Sequence, residues 1–470
     1  MLTRRLRNAL ERIVGSDHVL WHAADLILYQ YDASLDTAMP DAVVFPTSTE
    51  EVSAVVRACV EHGTPFVPRG SGTNLSGGSI AAEGGVVIGL SRMNRILSID
   101  PANEVAVVQP GVFNLDLQEA LAQHGYLYAP DPASQKVSTL GGNVAENSGG
   151  PHGVKYGVTT NHALGLRVVL PSGEVIDCGG ATESTPGYDL RGVLIGSEGT
   201  LGIVTEIIVR IRRQPEAIKT MLVVYDAIEA AGESVSAVIA AGIIPATLEM
   251  MDQPIIQCVE DSYHCGYPTD AAAVLIVELD GLRDDLDEQA RQIDEICRRH
   301  GAREVKIAAN AAERDRLWQG RRGAFGAVAR ICRNYLVMDG TVPRTKLPDV
   351  LKRSVEAARK RGLRSGNVFH AGDGNLHPLI FILEGSEEEV RRVREAGEEI
   401  LRVCLEAGGT ISGEHGIGVE KLGAMLQQFS PAELDLMRRI KDAFDPEHLC
   451  NPGKVLPAES IPGPGPRIVK

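Results

Sequence analysis

Hydrophobic and polar positions along this chain follow two rhythms, and the change between them near residue 214 divides it. The opening MLTRRLRNALERIV reads as a charged amphipathic helix. VVFPTSTEEVSAVVRACVEHGTPFVPRG then predicts a strand, a Thr/Ser cap, and a helix with Val52, Val55, Val56, Cys59 and Val60 on one face. A stop at Gly63 and a second strand complete a β-α-β unit. Up to about residue 213 the apolar segments are short, strand-like and separated by glycine: GVVIGL, RILSID, EVAVVQPGV, the LRVVLPSGEVIDCG hairpin and the alternating GIVTEIIVRIRR. Beyond Gln214 and Pro215 the elements lengthen. MLVVYD, a helix around residues 227 to 241 and ATLEMMD are followed by AAVLIVELDG, the helix DDLDEQARQIDEICRRHG and EVKIAAN. These two β-α-β passes predict an α+β sheet domain. A helical stretch over about residues 386 to 445 ends at DPEHLCNPGKVLP, and the proline-rich tail is expected to be disordered.

Composition narrows the classes. With 470 residues and 44% hydrophobic content the chain buries a large core and has room for two or three domains. Its formal charge of −15 argues against a nucleic-acid surface and against docking on anionic lipid. No apolar run approaches the roughly 18 residues of a spanning helix, and the charged start is not a signal peptide. A cytoplasmic location is expected. The eight cysteines (Cys59, Cys178, Cys258, Cys265, Cys297, Cys332, Cys404 and Cys450) are scattered without CxxC or cluster spacing, so they read as buried reduced thiols.

Candidate chemistry begins with glycine. In PRGSGTNLSGG, residues 68 to 78, the bare positions Gly70, Gly72, Gly77 and Gly78 let several amide N–H groups turn toward one anion, with Arg69 nearby. The next element is another turn and the strand GVVIGL, not the helix of a Rossmann fingerprint, which argues against a nicotinamide site. DPASQKVSTLGGNVAENSGGPHGVKYG (131 to 157) and LIGSEGTLGIVTE (194 to 206) form two further loops of small residues. Three such loops fit one extended dinucleotide whose pyrophosphate, ribityl chain and ring approach the backbone at separate points.

PRGSGTNLSGG, APDPASQ, GGNVAENSGGPHGVKYG, GSEGTLGIVTE, VFHAGDGNLHP, SGEHGIGVEK and NPGK occur in this order between about residues 38 and 457. In these stretches the chain resembles flavoproteins of the vanillyl-alcohol oxidase type, specifically the FAD-binding subunit of glycolate oxidase and the related D-lactate and D-2-hydroxyglutarate dehydrogenases. The resemblance implies an α+β fold: a two-part FAD-binding domain, a substrate or cap domain built on a ferredoxin-like sheet, and a C-terminal helical segment. The expected segments are an N-terminal helical region (1–37), the FAD domain (38–215), the cap domain with a metal site (216–420), helices returning to the FAD domain (421–457) and a flexible tail (458–470). For FAD the resemblance points to Pro68, Arg69, Gly70, Ser71, Gly72, Thr73, Asn74, Gly77 and Gly78 in the first loop. In the second it points to Pro132, Ser134, Gly141, Gly142, Asn147, Gly149, Gly150 and Gly157, and beyond that to Gly199, Ile203 and Asn451. Relatives with covalent flavin often carry a histidine in the first loop. None stands between Arg69 and Gly78, so noncovalent FAD is implied.

NVFHAGDGNLHPLIFIL, residues 367 to 383, supplies the second constellation. With GDGN as a four-residue turn, Ala371 faces Leu376, and His370 falls opposite His377 on one face, close enough for both to reach one metal ion. A third candidate is Glu414, between glycines in SGEHGIG. The resemblance implies that His370, His377 and Glu414 hold a divalent metal; zinc suits the set, and manganese and iron stay open. His415 is the candidate general base, with an ordinary pKa near 6.5. A 2-hydroxy acid would chelate the metal, His415 would take the hydroxyl proton, and hydride would pass to the flavin. The substrate carboxylate needs a cation in this acidic chain. Arg321 and Arg322 stand together in AAERDRLWQGRRGAFGAVARICR, and the resemblance points to Arg321, with Lys421 a lesser candidate.

The apolar PLIFIL run favours a small monocarboxylate, glycolate or D-lactate, over a dicarboxylate. With no iron–sulfur spacing or haem motif, electrons must leave to an outside acceptor. The resemblance implies a second flavin-domain-like subunit and an iron–sulfur subunit, through which the chain would lie at the membrane without inserting. Two alternatives are a metal-dependent hydrolase, expected to be colourless, and a non-redox transferase or assembly subunit of the same superfamily, expected to be yellow and not bleached by any hydroxy acid.

Overall fold

The computed structural model describes residues 2–182 and 186–458. It divides into two compact units. Among the described residues the first takes 2–149, 158–214 and 414–458; the second takes Gly150–Gly157 and Pro215–Gly413. Most of the proline-rich tail lies outside the described residues.

The first unit opens with the helix Arg4–Val14, capped by the Thr3 hydroxyl and burying Leu6, Leu10 and Val14. Its four-stranded sheet runs Val19–Leu20, Ala42–Val44, Val86–Gly89, Phe66–Arg69, antiparallel at the first pairing and parallel thereafter. The strands of the predicted β-α-β unit are therefore not neighbours, because GVVIGL inserts between them. That central strand is buried along its whole length, as expected of a covered parallel strand. A second, five-stranded antiparallel sheet runs Ile96–Asp100, Val105–Val108, Ile203–Arg210, Ala163–Val169, Val175–Gly179. Burial alternates along Ile203–Arg210, matching its alternating sequence.

The second unit begins with strands Ala217–Tyr225, Thr247–Asp252, Ala273–Gly281 and Ala302–Ile307, which lie in the spatial order fourth, first, third, second with antiparallel pairing. This is the ferredoxin-like arrangement, extended on the far side by strands Ser365–His370, Asn375–Leu376 and Gly340–Thr341. Met221, Val223 and Tyr225 enter one apolar core while Leu222 and Val224 enter another, because neighbouring strand residues face opposite ways. Both faces are covered, which explains the unbroken apolar runs. The predicted helical stretch over 386 to 445 is interrupted. Helix Glu387–Glu406 ends just before Gly408, whose φ of +83° suits glycine, and helix resumes only at Leu422–Gln428 and Pro431–Phe444. None of the described helices is long and apolar enough to cross a membrane.

Asp252 caps helix Gln253–Tyr263 by accepting from the Ile255 N–H (3.4 Å), and it accepts from Asn367 Nδ2 (2.7 Å). Burial nevertheless pushes its carboxyl from 3.8 up to about 6. The folded state thus holds this proton more tightly than the unfolded chain, so the contribution is complete below about pH 4 and is lost as pH rises through about 6. Asn at this position keeps the cap, and Asn367 Oδ1, buried with no hydrogen-bond partner among the described residues, accepts from the new amide after a flip. Asp252→Asn is expected to exceed the parent by roughly 1–3 kcal/mol at pH 8 and to show no advantage at pH 4 in urea denaturation. A gap independent of pH contradicts this.

Candidate functional site

Within the first unit the three glycine-rich loops converge. A Cβ on Gly70 would run into the Thr139 hydroxyl, one on Gly199 into the Pro68 ring, and one on Gly196 would press Asn147 at 3.3 Å. Asn451 joins the first and third loops, its Nδ2 donating to the carbonyls of Gly78 (2.9 Å) and Glu198 (2.8 Å). Arg69 is turned inward, donating to the carbonyls of Tyr31 (2.7 Å) and Ser79 (3.2 Å). Ser134 accepts from the N–H groups of Val137 and Ser138 in the turn after Pro132. Gly150 and Gly157 belong to the segment that clusters with the second unit. The cradle suits a polar cofactor: Ser138 Oγ, Asn143 Nδ2 and Glu146 Oε2 are buried with no hydrogen-bond partner among the described residues. These donors and acceptors, between loops too tight for side chains, fit a flavin dinucleotide.

The same loops hold the segment carrying Glu414 and His415. Asn74 Nδ2 (3.3 Å) and Ser76 Oγ (3.1 Å) donate to the His415 carbonyl, and the Gly149 N–H donates to Glu414 Oε2 (3.0 Å). His415 Nε2 lies 3.9 Å from Glu414 Oε1. Glu198, absent from the predicted set, anchors the turn that follows: its carboxylate accepts from the N–H groups of Ile417 (2.6 Å) and Gly418 (2.7 Å). Burial, reinforced by Glu198, holds the Glu146 carboxyl well above the usual carboxylate range. Lys421 is buried.

In the second unit a polar patch interrupts the core that contains Met251, Val368 and Trp318. Glu249 and His370 are direct partners on neighbouring strands. His370 pairs with Asn375, not with His377 as predicted, because the turn is Ala371–Gly374 rather than GDGN. The register therefore moves by two residues, which keeps the side-chain face, and the two imidazoles still meet with ring centroids 5.0 Å apart at 89°. His370 Nδ1 lies 2.8 Å from Glu249 Oε1; Arg321, from helix Ala311–Val328, donates to Glu249 Oε2 through Nε (2.6 Å), and its Nη2 lies 2.5 Å from the same oxygen. Burial pushes the Glu249 carboxyl up, but Arg321 and His370 outweigh it, and the net position is below the usual value. Arg321 is 1% exposed, whereas Arg322 stacks over the Trp318 ring. Asp339 lies 3.9 Å from His377 Nδ1 and accepts from Ser412 Oγ (2.6 Å) and the Gly413 N–H (3.1 Å). Asn375 Oδ1 and Thr341 Oγ1 are buried without hydrogen-bond partners among the described residues, in keeping with a polar ligand.

The glycine-loop cradle of the first unit suits a flavin dinucleotide, and the second unit holds two buried imidazoles, one of them sharing Glu249 with Arg321. Residues 40–179 match the family model of the FAD binding domain, and 214–455 that of FAD linked oxidases, C-terminal domain. The glycolate oxidase subunit GlcD of Escherichia coli K12 is 44% identical over 450 residues, covering 96% of this chain and 90% of the relative. GlcD of Bacillus subtilis is 43% identical, covering 97% of each. In fold, the chain is similar to p-cresol methylhydroxylase (TM-score 0.82, 19% identity, 96% of this chain and 97% of that one). The chain belongs to the family of FAD-linked oxidases that includes the glycolate oxidase GlcD subunits, and it is an FAD-linked oxidoreductase. The expected α+β fold of the vanillyl-alcohol oxidase type is the one found.

Several polar neighbours of the predicted residues escaped the sequence reading, among them Glu146, Glu198, Glu249 and Asp339. A signal existed for Glu249. An acid inside the otherwise apolar ATLEMMD strand is costly to bury unless it is paired.

Proposed function

We propose that this chain oxidises a small 2-hydroxy acid, glycolate or D-lactate, to the 2-oxo acid. Residues 38–215 would hold noncovalent FAD, with the segment from 421 returning to that domain, and 216–420 would form the substrate domain. His370, His377 and Glu414 would hold one divalent ion, zinc being best matched to two imidazoles and a carboxylate. Support comes from the imidazole pair in the second unit and from the chain itself: Gly413, tethered to Asp339 beside His377, immediately precedes Glu414.

Bound FAD supplies a two-electron acceptor, and the ion supplies a Lewis acid that lowers the pKa of a coordinated hydroxyl. Arg321 binds the substrate carboxylate; Glu249 neutralises one edge of its guanidinium and fixes its orientation. His415 accepts the hydroxyl proton at a ring nitrogen, while hydrogen bonds from Asn74 and Ser76 hold its main chain still. The buried, apolar Pro378–Ile382 strand offers no partner for a second carboxylate, which favours a monocarboxylate. The GlcD relatives are glycolate oxidase subunits, and this chain would likewise work as a subunit. Having no iron–sulfur or haem motif of its own, it would pass electrons to partners, a second flavin-domain-like subunit and an iron–sulfur subunit.

The observation that carries the reading is the buried pair of imidazoles 5.0 Å apart, next to a carboxylate-held arginine, in a chain similar to GlcD along 96% of its length. Anaerobic addition of glycolate or D-lactate to the yellow protein is expected to bleach the flavin's visible absorbance. A yellow protein that neither acid bleaches overturns the reading.

A further inference from the structure

We propose that Glu249 is a positioning residue that fixes the tautomer and ring angle of His370. The proposal rests on the reading that His370 ligates a divalent ion. Glu249 is fully buried and divides its two oxygens, Oε2 accepting from Arg321 and Oε1 facing His370 Nδ1 at 2.8 Å. A carboxylate cannot donate, so the proton of this hydrogen bond belongs to Nδ1 and the lone pair lies on Nε2. Direct strand pairing of Glu249 with His370 sets the distance, while Arg321 occupies the other oxygen. Neutralising Arg321 alone would not require the second oxygen to be spent on an imidazole. Orienting a ligand histidine does require it.

The test is zinc affinity of the metal-stripped flavoprotein, measured by competition with a chromophoric chelator, together with the cobalt(II) absorption spectrum. Glu249→Gln is expected to weaken zinc binding about 10–100-fold and to shift the cobalt bands. Because this variant leaves Arg321 buried without its counter-charge, the double variant Glu249→Leu with Arg321→Met serves where the single one fails to fold; its zinc affinity should fall by the same factor. Arg321→Met alone should bind zinc within a few-fold of the parent. If both Glu249 variants match the parent in zinc affinity and cobalt spectrum, Glu249 does not position His370. A loss in Arg321→Met as large as that in Glu249→Gln assigns the effect to the guanidinium and also overturns the proposal. His377→Ala separates the two readings: zinc binding undiminished in that variant, or absent from the parent, removes the metal site itself.

Discussion

Replacing His415 by alanine is expected to leave FAD and metal content unchanged and to slow anaerobic flavin reduction by glycolate roughly 10²–10⁴-fold, the usual contribution of a general base. The variant should fold, because the loop around His415 is held through its main chain. Asn74 and Ser76 grip the His415 carbonyl, and Glu198 grips the N–H groups of Ile417 and Gly418, none of which an alanine disturbs. Stopped-flow absorbance measures the rate, and the flavin spectrum with metal analysis checks the rest. A variant reduced as fast as the parent removes His415 from the proton-transfer role.

Removing the metal is the second large effect. His377→Ala is expected to purify yellow, without its stoichiometric divalent ion, and not to be bleached by glycolate or D-lactate. A three-ligand site reduced to two donors holds an ion far less tightly, and without the Lewis acid the substrate hydroxyl keeps a pKa far above that of an imidazole. Chelation of the parent should produce the same silence, and adding back zinc, manganese or iron should reverse it in the parent but not in His377→Ala. Bleaching that continues at full rate in thoroughly chelated parent protein would discard the metal from the mechanism.

Both predictions draw on features legible in the chain. The glycine clusters could be recognised as tight cradles because the absence of Cβ atoms is a local property, and Gly70 and Gly199 indeed stand where a Cβ would collide. The imidazole pair could be placed on one face because strand residues alternate with period two. That same periodicity hid the error in register, since a shift of two residues preserves the face. The glycines around Glu414 in SGEHGIG marked that segment as non-helical within the C-terminal helical stretch, but its partners were not legible, because the loop is held by distant residues such as Asp339 and Glu198.

By itself, the sequence determined most of the strands, the close-approach loops and which face each strand presents, because those outcomes depend on neighbours a few residues apart. Only the tertiary structure decided that Glu249 serves Arg321 and His370 at once, across separations of 72 and 121 residues, and that Glu198 steadies a turn 219 residues onward. Burial imposes those pairings: a carboxylate taken out of water must find partners wherever the fold brings them, and no local pattern records where that will be.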